Sequence, residues 1–158
     1  MHRRSLCRDV PARTEEGPMS PTPIVYETVH RIAFSELDPF QHVSTGNYAR
    51  YFTDHRMEGL GRYAGWDLPT LGSLGFMTWV RRMEIDFIRP LTADQEVSII
   101  SFVREFRGPD AMIECTMTDA AGTTVSTCLM VVAHVDGRTR RATDWPAELQ
   151  ALFFEPDG

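Results

Sequence analysis

The sequence contains no lysine, so all 16 of its basic side chains are arginine. We read this as codon usage rather than a functional signature, although arginine suits bidentate contacts to phosphate. Positive charge is also in short supply overall, and the net charge of −6 argues against a nucleic-acid partner, which would favour a basic surface. An anionic ligand would need a local patch, for which Arg104, Arg107, Arg138, Arg140 and Arg141 are available. No apolar run approaches the roughly 20 residues of a membrane span, so no membrane partner is expected. Cysteine is scarce and odd in number, at Cys7, Cys115 and Cys128. With no metal-like spacing and no secretory segment around them, reduced thiols in a cytoplasm are the expectation. Cys115 and Cys128 fall within strand-like runs and read as buried, inert thiols. No second His or Cys stands near the central loop in a ligand pattern, so no metal site is expected either.

What is present describes one domain. The 158 residues, 42% of them apolar, suffice for one real core and not for two. Residues 1–23 lack periodicity and are rich in Arg, Glu and Pro, so they read as a disordered extension. Met19 offers an alternative start, which would make the first 18 residues a misassigned segment. Residues 24–158 carry the fold.

Alternation from Ile24 to Phe34 predicts a strand, with His30 as a packed or surface residue on it. After a loop at 35–43, a stripe of Tyr48, Tyr51, Phe52, His55, Gly59, Leu60 and Tyr63 predicts a helix from near Thr45 to Tyr63. Ser44 or Thr45 can cap it, Gly65 can end it, and Gly46 and Gly59 permit close approach of another backbone. Residues 65–75 read as a Gly/Pro loop. Strand patterns follow at 78–87, 96–106, 111–119 and 123–135, joined by turns short enough to demand antiparallel pairing. Residues 146–154 read as a short terminal helix. A long helix with an aromatic stripe must bury it, and the sheet is the only large apolar surface on offer.

The chemistry concentrates where the loop meets the helix. An acidic pair, Glu36 and Asp38, precedes a helix start whose first amides lack internal partners. Pro39 biases Asp38 toward extended backbone. A carboxylate beside such amides can act as nucleophile or general base while they hold a developing oxyanion, a combination suited to acyl transfer. The bland alternative is a loop of caps that merely starts a helix. Ser44 and Thr45 lack a triad-type acid–base pair, so a serine hydrolase is a poor fit. His42, four residues from Asp38, could meet it in the loop and is a secondary catalytic candidate.

The loop Glu36-Leu37-Asp38-Pro39-Phe40-Gln41-His42-Val43-Ser44-Thr45-Gly46-Asn47-Tyr48 resembles the D-x-D-x-x-G-H-V-N-N-x-x-Y signature of the 4-hydroxybenzoyl-CoA thioesterase-like branch of the hot-dog-fold superfamily. The run from Tyr51 to Leu60 is similar to that family's Y-F-x-x-x-R-x-E-x-L helix. The strand Met83 to Leu91, with Asp94 after it, matches in order and spacing. Together the resemblance covers about residues 26–150.

It implies an α+β fold, a five-stranded antiparallel sheet wrapped around one long central helix, assembled as a homodimer or homotetramer with sites between subunits. It further implies an acyl-CoA substrate, with coenzyme A entering only as part of that substrate and no separate cofactor. Asp38 would be the catalytic carboxylate, and the backbone amides of Thr45 and Gly46 would polarise the thioester carbonyl. Asn47, Tyr48 and Arg56 match positions near the start or on the inner face of that helix and are the substrate-binding candidates, Tyr48 either touching the acyl chain or packing only. Two departures stand out: Gln41 replaces the usual loop glycine, and Ser44-Thr45 replaces the Asn-Asn pair. Related hydratases use Asp and His in a similar loop with different spacing, which leaves a hydratase or dehydratase as one alternative. A non-catalytic subunit binding acyl-CoA or acyl-carrier protein is another.

Overall fold

Period-two alternation produces five strands in the structure, a computed structural model that describes residues 20–157. Strand β1 is Tyr26–Arg31; after the central helix come β2 (Phe76–Phe87), β3 (Glu96–Arg107), β4 (Asp110–Asp119) and β5 (Thr124–Asp136). All four pairings are antiparallel, in the order β1-β3-β4-β5-β2. The start at Met19, Cys7 and the extension as far as residue 19 lie outside the described residues. Thr22 and Pro23, assigned to that extension from composition, are tied down: the Glu155 amide donates to the Thr22 carbonyl at 2.8 Å, and Pro23 bridges Phe154.

Helix α1 (Thr45–Ala64) lies against one face of the sheet, which gives the expected hot-dog arrangement. Ser44 occupies the N-cap position with extended backbone, and Gly65, at a left-handed φ of 70°, ends the helix while its amide donates to Leu60. Such a C-terminus favours glycine, which pays no Cβ penalty there. The buried face comprises Tyr48, Tyr51, Phe52, His55, Arg56 and Gly59. Fully covered Phe52 alone contributes about 2–3 kcal/mol by leaving water. A Cβ on Gly59 would overlap the Tyr26 ring, so glycine is what lets α1 approach β1.

Four sequence expectations need correction. Gly46 faces open space rather than a neighbouring backbone. Tyr63 ends the stripe half-exposed, stacked on Tyr26 with ring centroids 4.8 Å apart. The supposed loop 65–75 contains a one-turn helix, α2 (Leu68–Leu71), because the Asp67 carboxylate accepts from the Thr70 amide at 2.9 Å and caps it. Strict alternation in β2 is broken by a bulge between Val80 and Arg82. One extra residue reverses the facing of everything beyond it. Val80, though exposed, therefore faces the helix side before the bulge, and Met83 and Ile85 pack inward after it.

The terminal segment, α3 (Ala147–Gln150) followed by a tight turn at Ala151–Phe153, closes an aromatic cluster of Trp66, Phe76, Phe106, Trp145 and Phe153. That cluster seals the C-terminal end of α1. The N-terminal end is left open beside the loop that carries Asp38.

Candidate active site

The loop from Leu37 to Val43 is a closed hairpin of backbone bonds. Leu37 and Val43 bridge, the Asp38 amide donates to the His42 carbonyl at 2.8 Å, and the Gln41 amide returns to the Asp38 carbonyl at 2.9 Å. Closing so tight a turn requires Gln41 to adopt a left-handed φ of 62°. This is the conformation that the usual glycine would take, so the substitution keeps the turn and accepts its cost.

Asp38 is half-buried, and only one of its oxygens is engaged. Oδ1 accepts from the amides of Phe40 at 2.9 Å and His42 at 3.3 Å. Oδ2 has no hydrogen-bond partner among the described residues. The carboxylate is thus oriented by its own turn and keeps one free oxygen. It lines a groove of about 280 Å³ with His42, Val43, Thr45, Tyr48, Phe87, Ile88, Arg89 and Pro90.

Five of the seven residues singled out from sequence meet at this corner. Thr45 and Gly46 open α1, and their amides make no hydrogen bond among the described residues. Ser44 caps by position only, since its hydroxyl turns toward the Glu36 carbonyl. Tyr48 is a buried wall of the groove, edge-on to Phe87 at 5.0 Å, and burial raises its phenol pKa. His42 is exposed; it contributes its amide to Asp38, and its ring forms no bond with that carboxylate.

Asn47 lies beneath the loop with its Nδ2 already committed to the Glu36 carbonyl at 2.9 Å and Ser44 Oγ at 2.8 Å. Arg56 is not brought to the groove. It is buried under the middle of α1, where it donates to Ser101 Oγ at 2.9 Å, stands 4.2 Å over the Tyr26 ring, and lines a separate apolar cavity of about 70 Å³. Burial lowers its pKa.

Two features of the corner escape sequence reasoning. The groove's far wall, Phe87 to Pro90, comes from the end of β2, which only the three-dimensional pairing brings beside Asp38. The other is Glu36, visible in the sequence as half of an acidic pair but without an assigned task. Its buried carboxylate accepts from the Ala33 amide at 2.9 Å, Tyr51 Oη at 2.8 Å and Arg50 Nη2 at 2.8 Å, and it meets His30 Nε2 at 3.1 Å. Burial pushes its pKa up, but the bonds from Ala33, Tyr51 and His30 outweigh this and hold it below the ordinary carboxylate value. Burial and the neighbouring Glu36 charge drive the Tyr51 phenol far above its usual range, which keeps it a donor.

Among the described residues no group of three or more His, Cys, Asp or Glu side chains is placed to hold a metal ion. Nor, among the described residues, is any helix long and apolar enough to cross a membrane.

The family model for the thioesterase-like superfamily matches residues 32–153. The long-chain acyl-CoA thioesterase FadM of Escherichia coli K12 is 22% identical over 125 residues, 78% of this chain and 93% of its own length. A Staphylococcus aureus protein solved in complex with CoA superposes with a TM-score of 0.74 at 15% identity, over 85% of each chain. A DHNA-CoA thioesterase from the same organism superposes with a TM-score of 0.69 at 14% identity, over 76% of this chain and 80% of its own. At such identities the superpositions speak for the shared fold.

Proposed function

Because this chain belongs to the thioesterase-like superfamily, we propose that it hydrolyses acyl-CoA thioesters in the groove beside Asp38. The observation that carries the reading is the asymmetry of that carboxylate: Oδ1 is fixed by two amides, whereas Oδ2 accepts no hydrogen bond among the described residues, in a residue that lines the groove. Oδ2 either attacks the thioester carbonyl, giving an acyl-carboxylate anhydride that water then opens, or takes a proton from water as that water attacks. In both routes the carbonyl oxygen gains charge in the tetrahedral intermediate, the C–S bond breaks, and coenzyme A leaves as its thiol once protonated. The unpaired amides of Thr45 and Gly46 are the donors for that charge, and one such donor contributes roughly 3 kcal/mol in the transition state.

Tyr48, Phe87 and Ile88 offer apolar wall to the acyl group, while Arg89 supplies positive charge at the groove. Arg104 and Arg107 are paired with Glu105 and Glu114, whereas Arg138, Arg140 and Arg141 form no ion pair among the described residues. The latter three are the better candidates for the CoA phosphates. Strand β2 has one unpaired edge along its 12 residues, and pairing it with a second copy is the simplest way to cover it in a homodimer or homotetramer. Buried free thiols at Cys115 and Cys128, opposite each other across β4 and β5, accord with a reducing cytoplasm.

Thiol release from a panel of acyl-CoAs tests the reading. Asp38→Asn is expected to lower kcat by about a thousandfold, about 4 kcal/mol, with urea unfolding unchanged. Turnover preserved in this variant would remove Asp38 from the mechanism. Binding without turnover by the native protein would favour an acyl-binding subunit, and hydration of an enoyl-CoA a hydratase.

A further inference from the structure

Both ends of Glu36 are in use, at the one point where β1, the Asp38 loop and helix α1 meet. Its carboxylate meets His30 on β1, accepts from the Ala33 amide within its own turn, and accepts from Arg50 and Tyr51 on the helix. Its carbonyl accepts the Ser44 amide at 3.0 Å and Asn47 Nδ2 at 2.9 Å, closing the loop where the chain re-enters the helix. Asp38 lies two residues away, inside the segment pinned at both ends. Movement of Glu36 relative to α1 would therefore shift Asp38 relative to the Thr45 and Gly46 amides.

Glu36 retains only 8% of its exposure, and its bonds recover the desolvation of the buried charge, so the fold favours the anion. What the anion adds is stiffness, because charge-assisted bonds are shorter and roughly twice as strong as neutral ones. A reaction that requires a carboxylate oxygen and two amides in fixed register benefits from that stiffness.

We propose that Glu36 is the positioning residue for Asp38, anchoring the catalytic loop to helix α1 through Arg50 and Tyr51 and to strand β1 through His30. The assignment rests on the thioesterase reading for its activity readout, but its structural readout is independent.

Glu36→Gln keeps the shape and removes the charge. It is expected to lower kcat tenfold to about a hundredfold, the scale of a misplaced catalytic group, with KM nearly unchanged. A double-mutant cycle separates positioning from general weakening, because in an Asp38→Asn background the same substitution should cost no further kcat. Where Glu36→Gln fails to fold, Tyr51→Phe and Arg50→Gln each remove one anchor and should show smaller losses that likewise vanish without Asp38. Wild-type turnover in the same series tests the thioesterase reading by itself.

Independently of any turnover, amide exchange at Phe40 and His42, the donors to Asp38 Oδ1, should quicken at least tenfold in Glu36→Gln or in either anchor variant, by local opening. Unchanged exchange, unchanged kcat, or an equal loss in the Asp38→Asn background would overturn the proposal.

Discussion

Helix α1 carries two polar clusters, one at its first turns and one at its middle, and they contain similar chemistry. At the first turns are Asp38, Glu36, His42 and hydroxyls; at the middle are His55, Ser101, Thr28 and Arg56. The middle cluster even looks the more catalytic, with His55 Nε2 and Nδ1 each 2.6 Å from a hydroxyl, on Ser101 and Thr28. Yet Thr28, His55, Arg56 and Ser101 are all buried, and neither His55 nor Ser101 lines the Asp38 groove or the apolar cavity beside Arg56. The first-turn cluster opens onto a groove and holds one carboxylate oxygen unpaired. What separates the two is access, not residue type: in the middle Thr28, His55 and Ser101 are bonded to one another in the interior.

His55→Ala gives this contrast its severest test. The substitution removes a packed ring and leaves Thr28 and Ser101 hydroxyls short of a partner, so it is expected to destabilise the fold by about 4 kcal/mol. Turnover per folded molecule should stay within threefold of native, roughly the scatter expected for remote sites. Urea unfolding paired with kcat checks both halves. A large fall in kcat in a well-folded His55→Ala would mean that the middle cluster takes part in the chemistry after all.

The two clusters also answer pH in separate windows. Burial, helped by the Arg56 charge, lowers the His55 pKa to about 4 from an ordinary 6.5. The unfolded chain then binds the extra proton first, so stability falls as pH drops from about 6.5 to about 4 and levels off below, a change of about 3 kcal/mol. Glu36 has the opposite starting state. Its folded pKa is depressed, so its contribution is complete above the unfolded value near 4.3 and is lost only as pH falls further. Urea titrations at several pH values should show the upper window vanish in His55→Gln and the lower one in Glu36→Gln.

Legibility from sequence followed the same division. The helix was readable to within a residue at its C-terminal end because Tyr48, Tyr51, Phe52 and Gly65 obey period and capping rules that need no partner. That Asp38 stands beside the helix-start amides is legible because a loop feeding a helix is local. The groove wall at Phe87 to Pro90 was not, since only the folded sheet brings the end of β2 beside Asp38. Nor was the bulge at Val80, because alternation counts residues and cannot see one left unpaired. Arg56 shows the converse limit: its place in a motif suggested the substrate, while its buried position assigns its donor to Ser101.

Gly59 lies one turn beyond the middle cluster, on the side away from Asp38. Gly59→Ala would drive a methyl group into the Tyr26 ring, and relieving that overlap should cost about 2 kcal/mol as α1 and β1 move apart. Because the ring it displaces lies under Arg56 and not under Asp38, thermal stability should fall while KM and kcat hold. A change in KM alone would show that the two ends of the helix move as one body.

The smallest expected effect is at Gln41. Its φ of 62° costs a side-chain-bearing residue about 1 kcal/mol relative to glycine, and glycine in turn loses more chain entropy on folding. For Gln41→Gly the two nearly cancel, leaving a gain of a few tenths of a kcal/mol at most, measurable as a small rise in the urea midpoint. The Gln41 side chain is exposed and forms no side-chain hydrogen bond among the described residues, so relief of strain should leave the Asp38 turn in place. Equal kcat in Gln41→Gly would identify the turn, held by the Asp38 carbonyl and the His42 amide, as what the reaction uses at this position. A fall in kcat despite the gain in stability would instead assign the glutamine amide a contact with substrate at the mouth of the groove.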